Sequence, residues 1–544
     1  MHFIAKSRSR TTRSASRTGV ASGLPLGLGE EQLYPVTIAS MCRQCYLAGV
    51  ARNRANAMAN RDARTSTTLL LTDPARPAQQ RLEDLPNPGA LPWLGNLHQL
   101  DPKRLHAQLE AWHQALGPTY TFRLGPKRIL VTSKLEIALS ALRDRPGRFR
   151  RLSTIEPVAA EIGMNGVFSL EGEAWRRQRG LVARALAPHR LDKFFPTLQL
   201  IAERLRRRWL RCAEAGVDID ALRDLTRFTV DTTATLVFGK DVNTLESGED
   251  AIQRHIGVIL PMVSYRVNAL FPYWRYFKLP KDYQLDRSLK AVRAFAAETI
   301  EHARQRMLGE PGKSSSNLLE AMLALRDEPD SGFSDDDVSA NLLTLLLAGE
   351  DTTAYTLAWT MHILAGDQGL QSRLHQAAVN ALGDARVPTT FTDTAKLDIF
   401  EGVVFEAMRM RPVSPLIFLE ANETVELAGV TIPAGTPLFL LTRPLTLDED
   451  NYRDTQDFKP ERWLGPGESA RDGHNTRAFL HFGAGPRFCP GRSLAMLETK
   501  VALSMLSRNF TIEHAEDPGL THEVFAFTMM PSRLRLRFSK IGFD

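Results

Sequence analysis

Cysteine is scarce. The 544 residues hold only Cys42, Cys45, Cys212 and Cys489. So long a chain with so few cysteines does not rest on a disulfide framework. Cys42 and Cys45 have the spacing of redox and zinc sites. No second pair, His pair or βαβ context accompanies them, so coincidence is the simpler reading. Long apolar runs are missing as well. The longest, around Leu342–Ala348, falls far short of the ~18 residues that mark a bilayer span. No integral membrane segment is expected. Nor is there a basic block interleaved with aromatics in the manner of a nucleic-acid surface. Lys+Arg 68 against Asp+Glu 62 leaves a net charge of only +6, so nucleic acid is not an expected partner.

Acids are absent from the first 29 residues, where Lys6, Arg8, Arg10, Arg13 and Arg17 lie among many Ser and Thr. Residues 1–80 read as a basic, disordered tail or as a misassigned start, with Met41 or Met58 opening the protein. A transit peptide has the same composition, so mitochondrial import stays open beside a soluble, cytoplasmic, bacterial-like protein.

The rest has ordinary globular composition, 43% hydrophobic and 24% charged. Three prolines and a glycine in Leu85–Pro92 make a stiff connector, and one catalytic domain is expected over 81–544. Helical periodicity covers 103–116, 133–143, 191–210, 222–238, 397–410 and 492–505. Alternation predicts a hairpin over 119–131, another over 425–441 turning at Pro433-Ala434-Gly435, and a strand at 533–538. The expected fold class is mainly α with a smaller β-rich part (α+β). Met262–Phe277 is rich in aromatics and broken by Pro272, which suits either a pocket roof or plain core.

Chemistry concentrates in four places. Phe482–Gly491 sets Cys489 in a Gly- and Pro-rich loop just ahead of a helix. Orphan N–H groups and the positive dipole end at that helix start favour a thiolate, and a thiolate is a good ligand for haem iron. Gly485 lets the backbone pass close to a flat ring, and Arg487 can reach an acidic group. Trp175 and Arg179 fall at i, i+4 on one helix face, where an indole N–H and a guanidinium can hold carboxylates. A long buried helix starts at Ser334, with Asp337 completing an S-x-x-D cap, and runs into Ala348-Gly349-Glu350-Asp351-Thr352-Thr353. Two charges and two threonines in one apolar turn break a local rule, as functional sites do. Thr352 can bond the Ala348 carbonyl, Ala348 and Gly349 leave room over a ring face, and Asp351 with Thr352 can relay protons. Last, Glu406 and Arg409 at i, i+3, with Arg462 in Pro460–Trp463, suit a buried structural cluster.

These four strings, in their order and spacing along the chain, resemble the cytochrome P-450 family over residues 85–544. The resemblance implies the P-450 fold, with haem b between the buried helix and the Cys489 loop. Cys489 is then the metal ligand. Trp175, Arg179, Ala348, Gly349, Phe482, Gly485 and Arg487 surround the cofactor, and Thr352 and Asp351 are catalytic. It further implies a monooxygenase that hydroxylates or epoxidises a small apolar organic substrate with O2. Electrons come from a separate ferredoxin- or flavodoxin-like protein or a reductase, which Arg176, Arg177 and Arg184 can attract. A peroxide-driven or rearranging enzyme, or a non-enzymatic haem ligand-binding protein, is the alternative, and the Asp351–Thr352 pair weighs against it. One departure stands out. Many family members place a basic propionate contact where this chain has Leu419.

Overall fold

The computed structural model describes residues 79–247, 251–269, 271–309, 315, 317–465 and 474–542. The chain divides into two compact units, Met1–Ala75 and Arg76–Asp544, and all described residues belong to the second. Cys42, Cys45 and the basic N-terminal stretch lie outside the described residues.

Helices dominate. The longer ones are α1 (Leu105–Leu116), α2 (Leu135–Arg143), α3 (Gly172–Ala185), α4 (Pro188–Ala215), α5 (Ala221–Phe238) and α6 (Ala251–Val267). They continue with α7 (Pro280–Gly309), α8 (Leu318–Arg326), α9 (Asp335–Ala365), α10 (Gln368–Leu382), α11 (Asp398–Met410) and α12 (Arg492–Asn509). No helix among the described residues is long and apolar enough to cross a membrane.

The β part is small. One five-stranded sheet has β1 (Thr119–Leu124) at one edge, followed by β2 (Lys127–Thr132), β8 (Pro437–Leu441), β5 (Leu416–Ala421) and β3 (Phe149–Arg150). Only the β2–β8 pair is parallel. A second sheet orders β4 (Ile219–Asp220), β12 (Arg535–Lys540) and β9 (Phe510–His514). Two hairpins pair β6 (Val425–Leu427) with β7 (Val430–Ile432), and β10 (Glu523–Phe525) with β11 (Met529–Pro531).

One expectation is corrected here. Residues 425–441 do not form one hairpin turning at Pro433–Gly435. The turn falls at Ala428 and Gly429, whose φ of 47° and 80° give the left-handed pair that a tight two-residue hairpin needs. Pro433–Gly435 instead carries the chain on to β8 in the larger sheet.

Helix α9 is the axis of the helical core. Its start is a complete capping box. Ser334 Oγ accepts from the Asp337 N–H at 3.1 Å, and the Asp337 carboxylate accepts from the Ser334 N–H at 2.9 Å. Asp335, Asp336 and Asp337 in the first turn complement the helix dipole. The apolar residues beyond are buried on nearly every side, as the uniformly apolar sequence predicts. Gly349 serves the packing of α9 on α5, since a methyl group there would come within 2.9 Å of Thr233 Oγ. Helix α11 is held by the expected cluster. Arg409 donates to both oxygens of Glu406 at 2.8 and 2.9 Å, and Arg462 Nε donates to Glu406 at 3.1 Å. All three are buried.

Candidate active site

The Cys489 loop is closed by its own backbone, the Cys489 N–H donating to the Phe482 carbonyl at 2.9 Å. Gly485 has φ 67°, and a Cβ there would lie 2.5 Å from the Leu142 carbonyl oxygen, so only glycine lets the loop seat on α2. The N–H groups of Gly491 and Arg492 point at the Cys489 sulfur from the start of α12. Burial pushes the thiol up. Those two N–H groups and the charges of Arg179 and Arg492 act against it. The helix-start effect read from the sequence is therefore present, but burial outweighs it in the protein alone. Phe482 lies beside the loop with its ring 6.4 Å from that of Phe488.

Helix α3 brings Trp175 and Arg179 to this loop. Trp175 is buried under the Arg487 guanidinium, 4.3 Å from its ring centre. Arg179 Nη2 donates to the Phe488 carbonyl at 2.6 Å, one residue from the cysteine. Arg487 Nη2 donates to the Leu170 carbonyl at 2.6 Å and to Glu171 at 2.5 Å.

Two further arginines close on the same spot. Arg145 and Arg151 repel each other and Arg487, and among the described residues Glu171 is the only carboxylate acting on the three. Burial, then this repulsion, depresses Arg151 well below the usual guanidinium range. Burial alone does most of the work in holding Arg145 and Arg487 at about 10. Nε and Nη2 of Arg145, Nε of Arg151, and Nε and Nη1 of Arg487 are buried without a hydrogen-bond partner among the described residues. Three guanidiniums against one carboxylate leave two positive charges over. A buried excess of that kind is costly unless an anion completes it. The two propionates of haem b match it in number and in chemistry, so the residues present fit the group.

Arg145, Arg151 and Glu171 were not singled out from the sequence. The signal was available in the run Arg143–Arg151, where five of nine residues are arginine. The structure also accounts for Leu419. It is fully buried in β5 opposite Leu438. The register ends with Arg150 opposite Glu420, the residue after Leu419, and Arg151 follows directly in the chain. A cation is thus supplied just past the end of the neighbouring strand.

On α9, Thr352 Oγ donates to the Ala348 carbonyl at 2.8 Å, as the sequence predicts. Ala348 is exposed although Leu346 and Leu347 beside it are buried, so it borders open space. Asp351 takes a hydrogen bond from Tyr355, a partner the sequence reading missed. Burial pushes Asp351 up to about 6, and the Tyr355 bond works in the opposite direction. Glu350 is more buried, carries an Oε2 without a partner among the described residues, and is pushed well above the usual carboxylate range by burial and then by the neighbouring Asp351 charge. Glu498 of α12 is a third buried carboxyl, pushed up to about 8 by burial although Thr353 donates to it.

Arginines short of carboxylates beside a buried cysteine loop suit a dianionic cofactor, and haem is the group they fit. The family model for cytochrome P-450 matches residues 85–538. The chain is 26% identical over 453 residues to a protein named pentalenene oxygenase from Streptomyces avermitilis, covering 83% of this chain and 96% of the relative. It is also 26% identical over 435 residues to cyclooctat-9-en-7-ol 5-monooxygenase from Streptomyces melanosporofaciens, covering 80% and 90%. The chain belongs to the cytochrome P-450 family. Its cofactor is haem b, and it is a haem-thiolate monooxygenase.

Proposed function

We propose that this enzyme hydroxylates or epoxidises a small apolar organic molecule, drawing electrons from a separate donor protein, with Cys489 as the iron ligand. The closed Cys489 loop beside an arginine cluster with two charges to spare is the observation that carries this reading. When bound, the thiolate-ligated haem activates O2, so that one oxygen atom enters the substrate and the other leaves as water. Every other task falls to side chains of this chain.

Arg145, Arg151 and Arg487 hold the propionates, with Trp175 packed beneath Arg487. Arg179 braces the cysteine loop through the Phe488 carbonyl. Phe482 and Gly485 shape that loop. Ala348 borders the space left for oxygen and substrate, and Gly349 keeps α9 close to α5. Thr352 holds its hydroxyl on the Ala348 carbonyl and can turn to donate. Asp351, ionisable near neutral pH, resupplies the proton. Phe168 and Phe527, with rings 5.6 Å apart, offer an apolar wall to the substrate. Arg176, Arg177 and Arg184 are exposed on α3, and an acidic donor protein suits that face. Arg176 and Arg184 are already paired with Glu173 and Glu328, which leaves Arg177 the strongest attractor of the three.

Residues 81–544 form the catalytic domain in this reading, and the family match over 85–538 supports it. We place the protein in the cytoplasm of a bacterial-type cell, in keeping with the two Streptomyces relatives. The test is the absorption spectrum of the reduced protein with carbon monoxide. A strongly red-shifted Soret band, lost in Cys489→Ala, is expected. A well-folded protein without that band overturns the assignment of Cys489. Product formation with O2 and a reductase system, and none with peroxide alone, is expected of the monooxygenase route.

A further inference from the structure

Ala478-Phe479-Leu480-His481-Phe482 is an apolar run with one polar member. None of the tasks assigned above uses His481. The run leads straight into the cysteine loop, since the next residue is Phe482, whose carbonyl takes the Cys489 N–H. Leu480 packs into the buried cluster that also holds Leu142 and Phe149, which bracket Arg145 in the chain. His481 thus stands between the cysteine loop and the core that carries the arginine run. It is buried, its ring edge-to-face against Phe479 with centres 4.5 Å apart. Around Phe479 stand Trp463 and Phe405, at 4.9 and 5.4 Å. Both ring nitrogens of His481, Nδ1 and Nε2, are buried without a hydrogen-bond partner among the described residues.

The surroundings fix what such a partner is. Burial, then the charges of Arg409 and Arg443, push His481 down to about 3, so its ring is neutral at neutral pH. A neutral imidazole has one N–H to give, and a buried N–H is costly to leave unmade. The two nearby guanidiniums cannot take it, because arginine only donates. Their donors are engaged elsewhere, Arg409 on Glu406 and the carbonyls of Thr446, Thr455 and Asp457, and Arg443 on Glu110 and Glu523. The missing group is therefore an acceptor, and the potential of two arginines favours a negative one. A lone water needs about two to four polar partners, and phenylalanine closes one side of this ring. Haem b presents two anionic acceptors on its edge, the propionates.

We propose that His481 donates a hydrogen bond to a propionate of the bound haem, as a neutral partner to the arginines that supply the charge. The inference rests on the haem-site reading given above and adds to it a residue outside the arginine cluster. A neutral donor suits the place. Arg145, Arg151 and Arg487 already carry more positive charge than Glu171 balances, and a further cation would add to their repulsion in the protein without haem. Imidazole supplies a directed N–H with no charge, and keeps it over the whole pH range in which the ring stays unprotonated.

The test compares the full chain, with and without haem, with His481→Phe and His481→Gln. Phenylalanine keeps a flat ring against Phe479 and removes both nitrogens, while glutamine keeps an N–H to give. Haem transfer to an excess of apomyoglobin should quicken at least about tenfold in His481→Phe, a change of ~1.4 kcal/mol, and stay close to the parent rate in His481→Gln. Without haem, the melting temperature of His481→Phe should hold or rise, because an unmet buried N–H is gone. The propionate bending band in the resonance Raman spectrum of the ferric protein should shift in His481→Phe and return in His481→Gln. Haem release at the parent rate in His481→Phe, with an unshifted band, overturns the proposal. So does a melting temperature lowered equally with and without haem, which makes His481 a packing residue or the holder of a buried water. Should His481→Phe not fold, His481→Leu takes its place in each comparison. A parent that binds no haem overturns the haem-site reading itself, whereas a parent that binds haem with variants indistinguishable from it overturns only the role of His481.

Discussion

The Tyr355 hydroxyl donates to the Asp351 carboxylate one helical turn earlier on α9. The bond favours the ionised carboxylate, whereas burial favours the acid and pushes it up to about 6. Tyr355→Phe removes only the donor. The alkaline limb of product yield per electron consumed, where Asp351 loses the proton it supplies, should then move to higher pH, by roughly one unit if the bond contributes ~1.4 kcal/mol. An unchanged limb would detach Tyr355 from the proton path.

Thr352→Ala removes the hydroxyl held on the Ala348 carbonyl. Product formation should fall by about 10²-fold, the lower range for one acid–base group, while reductant consumption continues. Thr352→Ser should keep most of the yield. Full coupling in the alanine variant, read as product per reductant, would remove Thr352 from the relay.

Arg145→Gln should act with opposite signs in the two forms of the protein. Without haem it relieves repulsion among Arg145, Arg151 and Arg487, so the melting temperature should hold or rise. With haem it removes a charged donor, of the order of 1.5–3 kcal/mol, and haem transfer to an acceptor protein should speed up at least about tenfold. A variant that weakens both forms equally would make Arg145 a packing residue.

Glu406→Gln leaves two buried guanidiniums without their carboxylate. Glu406 also accepts from the Lys459 N–H at 3.0 Å and from Trp463 Nε1 at 2.9 Å. Loss of the charge should cost about 3–5 kcal/mol in denaturant unfolding, the range for breaking a buried ion pair. A loss well under 1 kcal/mol would contradict that burial.

Glu498 gives a pH signature of stability. Its carboxyl is pushed up to about 8 in the folded protein from an ordinary 4.5. Between these values the folded chain holds a proton that the unfolded chain has released. Stability therefore falls as pH rises through that window, and the penalty is complete above about 8. Glu498→Gln cannot titrate, so the melting-temperature difference, variant minus parent, should grow from pH 5 to pH 8. A constant difference would show that Glu498 ionises normally.

Local spacing carried much of this protein. The capping box at Ser334, the Thr352–Ala348 bond and the Trp175–Arg179 face each lie within one or two helical turns, so residue identity and interval decide them. The Cys489 loop was legible for the same reason, being a single short stretch with fixed glycines. Chain spacing misled where two turn signals stood close together. Ala428-Gly429 took the hairpin from Pro433–Gly435 because the backbone there adopts the left-handed pair.

What remained belongs to packing. Arg145 and Arg151 share one short run, but Glu171 and Arg487 lie elsewhere in the chain, and only the docking of β3, α3 and the cysteine loop brings the four together. Whether Asp282 faces solvent or the Arg266 guanidinium likewise depends on how α7 folds back on α6. The sequence alone determined which residues were able to bind iron, hold a carboxylate or pass a proton. Tertiary structure decided which of them lost water and gained neighbours, because desolvation and through-space charge depend on distance in the fold, not on position in the chain.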